Sequence, residues 1–459
     1  MKNILINNRK RIIKLLDKLP INLNNQLYKA ISKSMLGRYS VYAVNLLSMI
    51  ILARIFTPET FGTVAAITVF FLFFQLMAEA GLGPAIININ ELSTKDKNGL
   101  FGLTLIIGLI LGFAFFLLSP VFLYFYNLPR VGEVVPYIAI SLVFFSASIL
   151  PNAFLLREQA FFSIARAGLC AEVGSTLVSV LLVQVVDPLH ALATKSVCSA
   201  AISFCILYFI SGKTEFGRPA VGTKFSAIKP LLSFSLYQFG FNFINYFSRN
   251  FDNILVGRYF GANSLGVYDK AYQLMRYPLM LLTYSMTPAI QPVIRKYADD
   301  KEKVERIHRD FTFKLSLAGA IAGLSLFLLS ELIVRIMLGP QWLLVIPLIK
   351  VLAIAIPVQV VLSTIGSFFQ ALNRADLLFY TGIISAVVMI SCICWGVYQH
   401  DLIKLSWALV IAFHINFLQS YYVMYIKIFN KKPWGFMARM LPALAIVIFM
   451  TILAVYNTN

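Results

Sequence analysis

Long apolar runs, separated only by short polar connectors, recur from end to end of this chain, and that pattern restricts it to a bundle of helices in lipid. About 20 apolar residues, wound as a helix, span the hydrocarbon core of a bilayer. Read at that length, the sequence holds about thirteen (12–14) candidate spans, including 61–89, 231–260, 265–294 and 342–372. Composition agrees: 13% of the residues are charged and 59% hydrophobic, whereas a soluble domain carries about 25% charged residues. A soluble core has no room for that much apolar surface. The longest connectors, 211–230 and 295–310, are too short to form a domain with an active site of its own.

The formal net charge is +19, and its placement argues for topology rather than nucleic-acid binding. With the N-terminus in the cytoplasm, most Lys and Arg fall on the cytoplasmic side. They include Lys95, Lys97, Lys213, Arg218, Arg295–Lys314 and Lys427–Arg439, as the positive-inside rule requires. Residues 1–34 form a basic arm, in which Arg9, Lys10, Arg11, Lys14 and Lys18 alternate with Ile12, Ile13, Leu16 and Leu19. The arm reads either as an amphipathic helix on the anionic leaflet or as a polar tail. Cys170, Cys198, Cys205, Cys392 and Cys394 lie in apolar stretches without metal-ligand spacing, so they read as apolar fillers. No cofactor or metal site is implied.

The strongest pattern is an internal repeat. From Leu52 the chain reads L-A-R-I-F-T-P-E-T-F-G-T-V, and from Val256 V-G-R-Y-F-G-A-N-S-L-G-V-Y. Arg54 aligns with Arg258, Phe56 with Phe260, Phe61 with Leu265 and Gly62 with Gly266. Each copy closes one span and turns tightly into the next. Six spans separate the copies, so both have the same orientation, which is a parallel repeat about an axis along the membrane normal. The expected architecture is all-α integral membrane, with two parallel six-helix lobes (35–210 and 231–428) around a central cavity. A cytoplasmic linker, 211–230, joins them, and a basic loop with an extra helix, 429–459, follows.

These stretches, with F-Q-L-M-A-E-A-G-L-G-P-A-I-I after the first copy and P-x-x-x-P-V-I-R-K-Y-A-D-D at 288–300, resemble polysaccharide exporters of the Wzx type. Those proteins serve O-antigen and colanic-acid synthesis within the multidrug/oligosaccharidyl-lipid/polysaccharide exporter superfamily. The likeness runs over roughly 26–432. It implies alternating access and translocation of undecaprenyl-diphosphate-linked oligosaccharide repeat units across the inner (plasma) membrane. It also implies membrane lipids, a polysaccharide polymerase and chain-length proteins as partners, and no nucleic acid.

A charge at the bilayer centre costs about 2.5–3.5 kcal/mol on insertion scales, so intramembrane ionisable groups usually face a cavity or a partner. Arg276, Lys270 and Arg249 are the candidate substrate-binding residues, because cations replace the hydration of a diphosphate. For Arg249 the competing reading is a pairing with Asp252, three residues on. Glu79, Asp252 and Glu172 are candidates for ion coupling, with local charge neutralisation as the alternative. Lys195 and Lys350 lie shallower. Arg54 and Arg258 read as interfacial anchors. Gln75, Tyr237, Gln238, Asn242, Asn245, Gln359, Gln370 and Gln419 suit either a sugar path or helix–helix bonding.

Ser211-Gly212-Lys213-Thr214 ends like a phosphate-binding loop, but Leu207 stands where the motif needs glycine. His190, His308, His400 and His414 are scattered, and no catalytic constellation is present. A cation-coupled multidrug antiporter is the alternative function, and it favours acidic over cationic cavity residues. A membrane-embedded polymerase is disfavoured by outer loops of only a few residues.

Overall fold

The chain folds, in a computed structural model, as helices described over residues 26–79, 86, 93–223, 229–283 and 287–458, with no strand among them. Residues 1–25 of the expected basic arm lie outside the described residues. The first half comprises α1 (Gln26–Ile55), α2 (Pro58–Glu79), α3 (Thr94–Leu117), the short α4 (Ser119–Tyr126), α5 (Val131–Arg157), α6 (Phe161–Leu182) and α7 (Pro188–Ser211). The second half begins with α8 (Lys229–Thr283), α9 (Thr287–Arg295), α10 (Lys301–Leu328) and the short α11 (Ser330–Met337). It continues through α12 (Val345–Ala353), α13 (Ile356–Leu362), α14 (Ile365–Ala371), α15 (Ala375–Tyr398), α16 (Leu402–Lys427), α17 (Trp434–Arg439) and α18 (Leu441–Thr458). Outward faces are apolar, as on α3, where Leu109, Ile110, Phe113 and Leu117 are exposed. Such a surface requires lipid rather than water around it.

Among the described residues, eight helices are long and apolar enough to cross a membrane, and nine if one bent pair counts as a single span. Tyr39–Ile55 and Leu441–Tyr456 are shorter apolar helices. The expected count of thirteen is not established by this measure. The expected span 342–372 is not one straight helix. It bends by 55° between Val345–Ala353 and Ile356–Ala371. Pro357 explains the break, since it lacks an N–H and its ring excludes the carbonyl four residues back, that of Ala353. Glycines of α10 fit the broken backbone: a Cβ at Gly323 would lie 2.9 Å from the Ala353 carbonyl oxygen. The span expected over 61–89 is helical to Glu79, beyond which lie residues outside the described set.

The two repeat copies meet each other, and their turns use different chemistry. In the first, Thr57 accepts from the backbone N–H of Thr60, and Pro58 starts α2. In the second, Gly261 breaks α8 with φ 82°, a conformation that suits glycine. Beyond each turn the helices α2 and 262–283 make backbone contact. A Cβ at Gly62 would lie 1.7 Å from the Ala262 carbonyl oxygen and 2.8 Å from the Gly266 nitrogen. A Cβ at Gly266 would lie 1.9 Å from the Pro58 carbonyl oxygen and 3.0 Å from the Gly62 nitrogen. Small residues at such crossings let membrane helices approach this closely.

The arginines of the repeat are exchanged in the same way, and so do more than anchor at an interface. Arg54 donates to the carbonyl of Ile336 at the end of α11 (2.5 Å), and Arg258 to that of Tyr124 at the end of α4 (3.5 Å). Trp342 Nε1 donates to the Ala53 carbonyl at 2.7 Å, and Gln341 Nε2 to that of Phe56 at 3.0 Å. These bonds use carbonyls that the end of α1 leaves without helical partners. The molecule is therefore tied shut at the end bearing the repeat turns.

At the opposite end, the linker lies as a strap against the first half. Lys97 Nζ donates to the Phe216 carbonyl (2.5 Å), and Asn98 Oδ1 accepts from the Ala220 N–H (2.9 Å). A Cβ at Gly102 would lie 2.0 Å from the Gly222 carbonyl oxygen. In the second half, buried Glu305 pairs with Arg309 and Lys431, both at 3.4 Å, and Asp310 pairs with Arg439. Lys97, Arg309, Lys431 and Arg439 at this end thus each have a local structural partner.

Gly62→Ala and Gly266→Ala each place a methyl group against backbone, and overpacking of this kind costs about 1–3 kcal/mol. Both variants are expected to melt several degrees below wild type in detergent. Gly382→Ala and Gly435→Ala, where a Cβ meets open space, are expected to leave the melt unchanged. Equal melting of all four variants would contradict the close contact.

Candidate substrate cavity

The contact between the repeat turns places a cavity directly beneath it. Lys270 follows Gly266 by four residues and so lies on the same face of α8, one turn further from the closed end. The cavity measures about 540 Å³ and is walled by α1, α2, α5, α6, α7 and the 262–283 arm of α8. Leu52, Phe61 and Leu192 lie nearest the closed end. Gln75, Ser148 and Ser203 lie deepest toward the linker end. From Phe61 to Gln75 the wall runs about 21 Å at 1.5 Å per residue.

The Lys270 side chain is only 7% exposed. Its Nζ lies 3.1 Å from Gln273 Oε1, 3.3 Å from Asp269 Oδ2 and 4.3 Å from the centre of the Phe61 ring. The ring face favours the cation electrostatically; Phe61 comes from the first copy of the repeat, and Lys270 follows the second copy by two residues. Asp269 is the more exposed member of its pair, at 37%. Across the cavity Glu172 of α6 bonds Lys195 of α7 at 2.9 Å. The lining therefore carries two ammonium groups against one carboxylate, with Glu172 already matched by Lys195.

The remaining sequence candidates fall elsewhere. Arg276 is exposed, does not line this cavity, and has no hydrogen-bond or ion-pair partner among the described residues. It lies six residues beyond Lys270, which turns it about 120° around the helix. Arg249 is on the first arm of α8, and its side chain lies outside the described ones. Asp252 is buried and accepts the Tyr268 hydroxyl at 2.6 Å, tying the two arms of α8 together. Glu79 is half-buried at the end of α2.

Of the polar residues considered for a sugar path, Gln75 lines the cavity. Gln359 is buried beside Met275, and Gln419 bonds Ser385 and the Thr381 carbonyl of the neighbouring helix. Gln370 lines a separate pocket of about 390 Å³ with Gln291, Arg295 and Asn373. The side chains of Tyr237, Gln238, Asn242 and Asn245 lie outside the described ones. Sequence reasoning missed Gln273, Asn45 and the serines Ser196, Ser199 and Ser203 of the lining. The i, i+3, i+7 spacing of those serines was the available signal.

Residues 51–347 match the Polysaccharide biosynthesis protein family. The chain belongs to this family. Among its relatives are the teichuronic acid biosynthesis protein TuaB of Bacillus subtilis (strain 168) and the lipopolysaccharide biosynthesis protein WzxC of Escherichia coli (strain K12). TuaB is 25% identical over 75% of this chain and 71% of its own length. WzxC is 25% identical over 84% and 78%. The fold is shared with the lipid II flippase MurJ in an inward closed conformation. That structure has a TM-score of 0.71 at 13% identity, covering 93% of this chain and 99% of MurJ. The family and the apolar helices identify a multi-pass membrane protein of polysaccharide biosynthesis that shares its fold with MurJ.

Removing one partner of the Glu172–Lys195 pair leaves the other charge partly buried and unmatched. Glu172→Ala and Lys195→Ala are each expected to lower the melting temperature. The double variant is expected to recover part of the loss, with a coupling of about 0.5–3 kcal/mol from the thermal melts. Strict additivity would show that the pair contributes nothing to the cavity wall.

Proposed function

We propose that this chain flips undecaprenyl-diphosphate-linked oligosaccharide repeat units from the cytoplasmic to the outer leaflet of the inner membrane, by alternating access of its two halves. The observation that carries this reading is the buried ammonium of Lys270 on the wall of a cavity of about 540 Å³. A diphosphate leaving water needs a cation to replace its hydration, and a lysine serves as a point charge. Family membership supports a role in polysaccharide assembly. The basic linker end faces the cytoplasm in this reading, so the end tied by Arg54 and Arg258 faces outward. The cavity favours a flippase over a cation-coupled drug antiporter, because Glu172, the one carboxylate among the described lining residues, is already paired with Lys195.

In a strain lacking this protein, with the rest of its pathway intact, repeat units are expected to accumulate on the inner leaflet and surface polymer to disappear. Wild type restores the polymer, Lys270→Arg restores most of it, and Lys270→Ala restores less than a tenth. Full rescue by Lys270→Ala at wild-type abundance would remove the cationic site. Repeat units reaching the outer leaflet normally in the deletion strain would remove the flippase.

The anionic headgroup also supplies a driving force. Moving one negative charge outward against an inside-negative potential gains about 2.3 kcal/mol per 100 mV. Transport in proteoliposomes is therefore expected to follow the imposed potential without a Na⁺ or proton gradient. Arrest on removal of both gradients at constant potential would require an obligatory coupling ion.

A further inference from the structure

The cavity wall opposite Lys270 has its own chemistry. Ser196, Ser199 and Ser203 of α7 all line the cavity and are half-buried. Their spacing confines them to about 60° of the helix surface and spreads them over about 10 Å of its length. None has a hydrogen-bond partner among the described residues. Their neighbours behave differently: Thr194 and Ser211, on the same helix, bond the carbonyls of His190 and Tyr208, and Ser179 bonds that of Ala191. Helical hydroxyls usually return to backbone in this way. On the facing helix α2, Gln75 likewise has no hydrogen-bond partner among the described residues and lines the same space.

We infer that this wall is the glycan subsite of the cavity. Building on the flippase reading, the sugars of the lipid-linked repeat unit lie along the Ser196–Ser199–Ser203 face and against Gln75, with the diphosphate at Lys270. Hydroxyl and amide groups each donate and accept, so they match the hydroxyls of a neutral sugar in either sense. Phe71 and Phe145 line the cavity as well, and they supply flat apolar surfaces for the C–H faces of sugar rings. A metal ion would call for carboxylates along this wall, and a hydrophobic drug would leave the hydroxyls unmatched. The division of labour assigns the headgroup to the second half and glycan discrimination to the first.

The test uses full-length protein in nanodiscs and two ligands: undecaprenyl diphosphate, and the undecaprenyl-diphosphate-linked repeat unit extracted from the host strain. Binding is read by native mass spectrometry, with a thermal melt as a control for folding. Wild type is expected to bind the glycosylated ligand more tightly than the bare one. Ser196→Ala/Ser199→Ala/Ser203→Ala is expected to lose about tenfold for the glycosylated ligand and nothing for the bare one, since each neutral hydrogen bond contributes a few-fold. Gln75→Leu is expected to show the same selective loss from the opposing wall, whereas Lys270→Ala weakens both ligands. Equal binding of the two ligands by wild type, or variants at Ser196/Ser199/Ser203 and Gln75 that bind the glycosylated ligand as wild type does, would overturn the glycan subsite and leave the flippase standing. A wild type that binds neither ligand would overturn the flippase, and the subsite with it.

Discussion

The backbone contact between α2 and the second arm of α8 sets the geometry of the rest. Lipid tails are as apolar as the helices they surround, so helix association in a bilayer draws on close packing and polar bonds rather than on the hydrophobic effect. Gly62 and Gly266 make that close packing possible, each lying under a carbonyl of the other helix. Their approach fixes the residues beside them. Phe61 roofs the cavity, and Lys270, one turn beyond Gly266, sits over the Phe61 ring. The arginines just before the two turns reach carbonyls of the opposite half.

Polarity is divided unevenly between the halves. The first half lines the cavity with serines, Asn45, Gln75 and the Glu172–Lys195 pair. The second half contributes Lys270 and Gln273 and commits much of its other polar chemistry to its own framework. Asp252 holds Tyr268, and Glu305 holds Arg309 and Lys431. His308 is enclosed by the rings of Phe368, Tyr421, Tyr425, Phe429 and Phe436. The groove therefore joins a buried cation near its head and neutral hydroxyls along one side to apolar walls that include Leu52, Phe71 and Phe145.

Much of the fold was legible in the sequence because bilayer thickness and repeat periodicity are one-dimensional signals. The tight turns at 57–58 and 261, the strap at 211–223 and most helix limits follow from apolar run length and from glycine and proline. Lys270 was legible as an intramembrane charge. Arg276 was equally conspicuous at mid-depth, yet depth says nothing of azimuth, and it lies off the cavity face. The break at 354–355 was hidden because the run 342–372 stays apolar through it, and only Pro357 marked the place. Ser196, Ser199 and Ser203 were passed over because a serine in an apolar helix normally bonds its own backbone. That they bond none of the described residues is a three-dimensional fact. Lys97 and Lys431 were counted for topology, and they also hold the strap and a buried carboxylate.

The exchanged arginines have a consequence for how the closed end opens. Arg54 belongs to the first half and is held by the second, and Arg258 belongs to the second and is held by the first. The glycine contact lies between them. In the alternating-access reading, parting the halves at this end has to break both bonds as well as the glycine contact. Two like segments, one in each half, thus fasten the same end of the molecule from both sides.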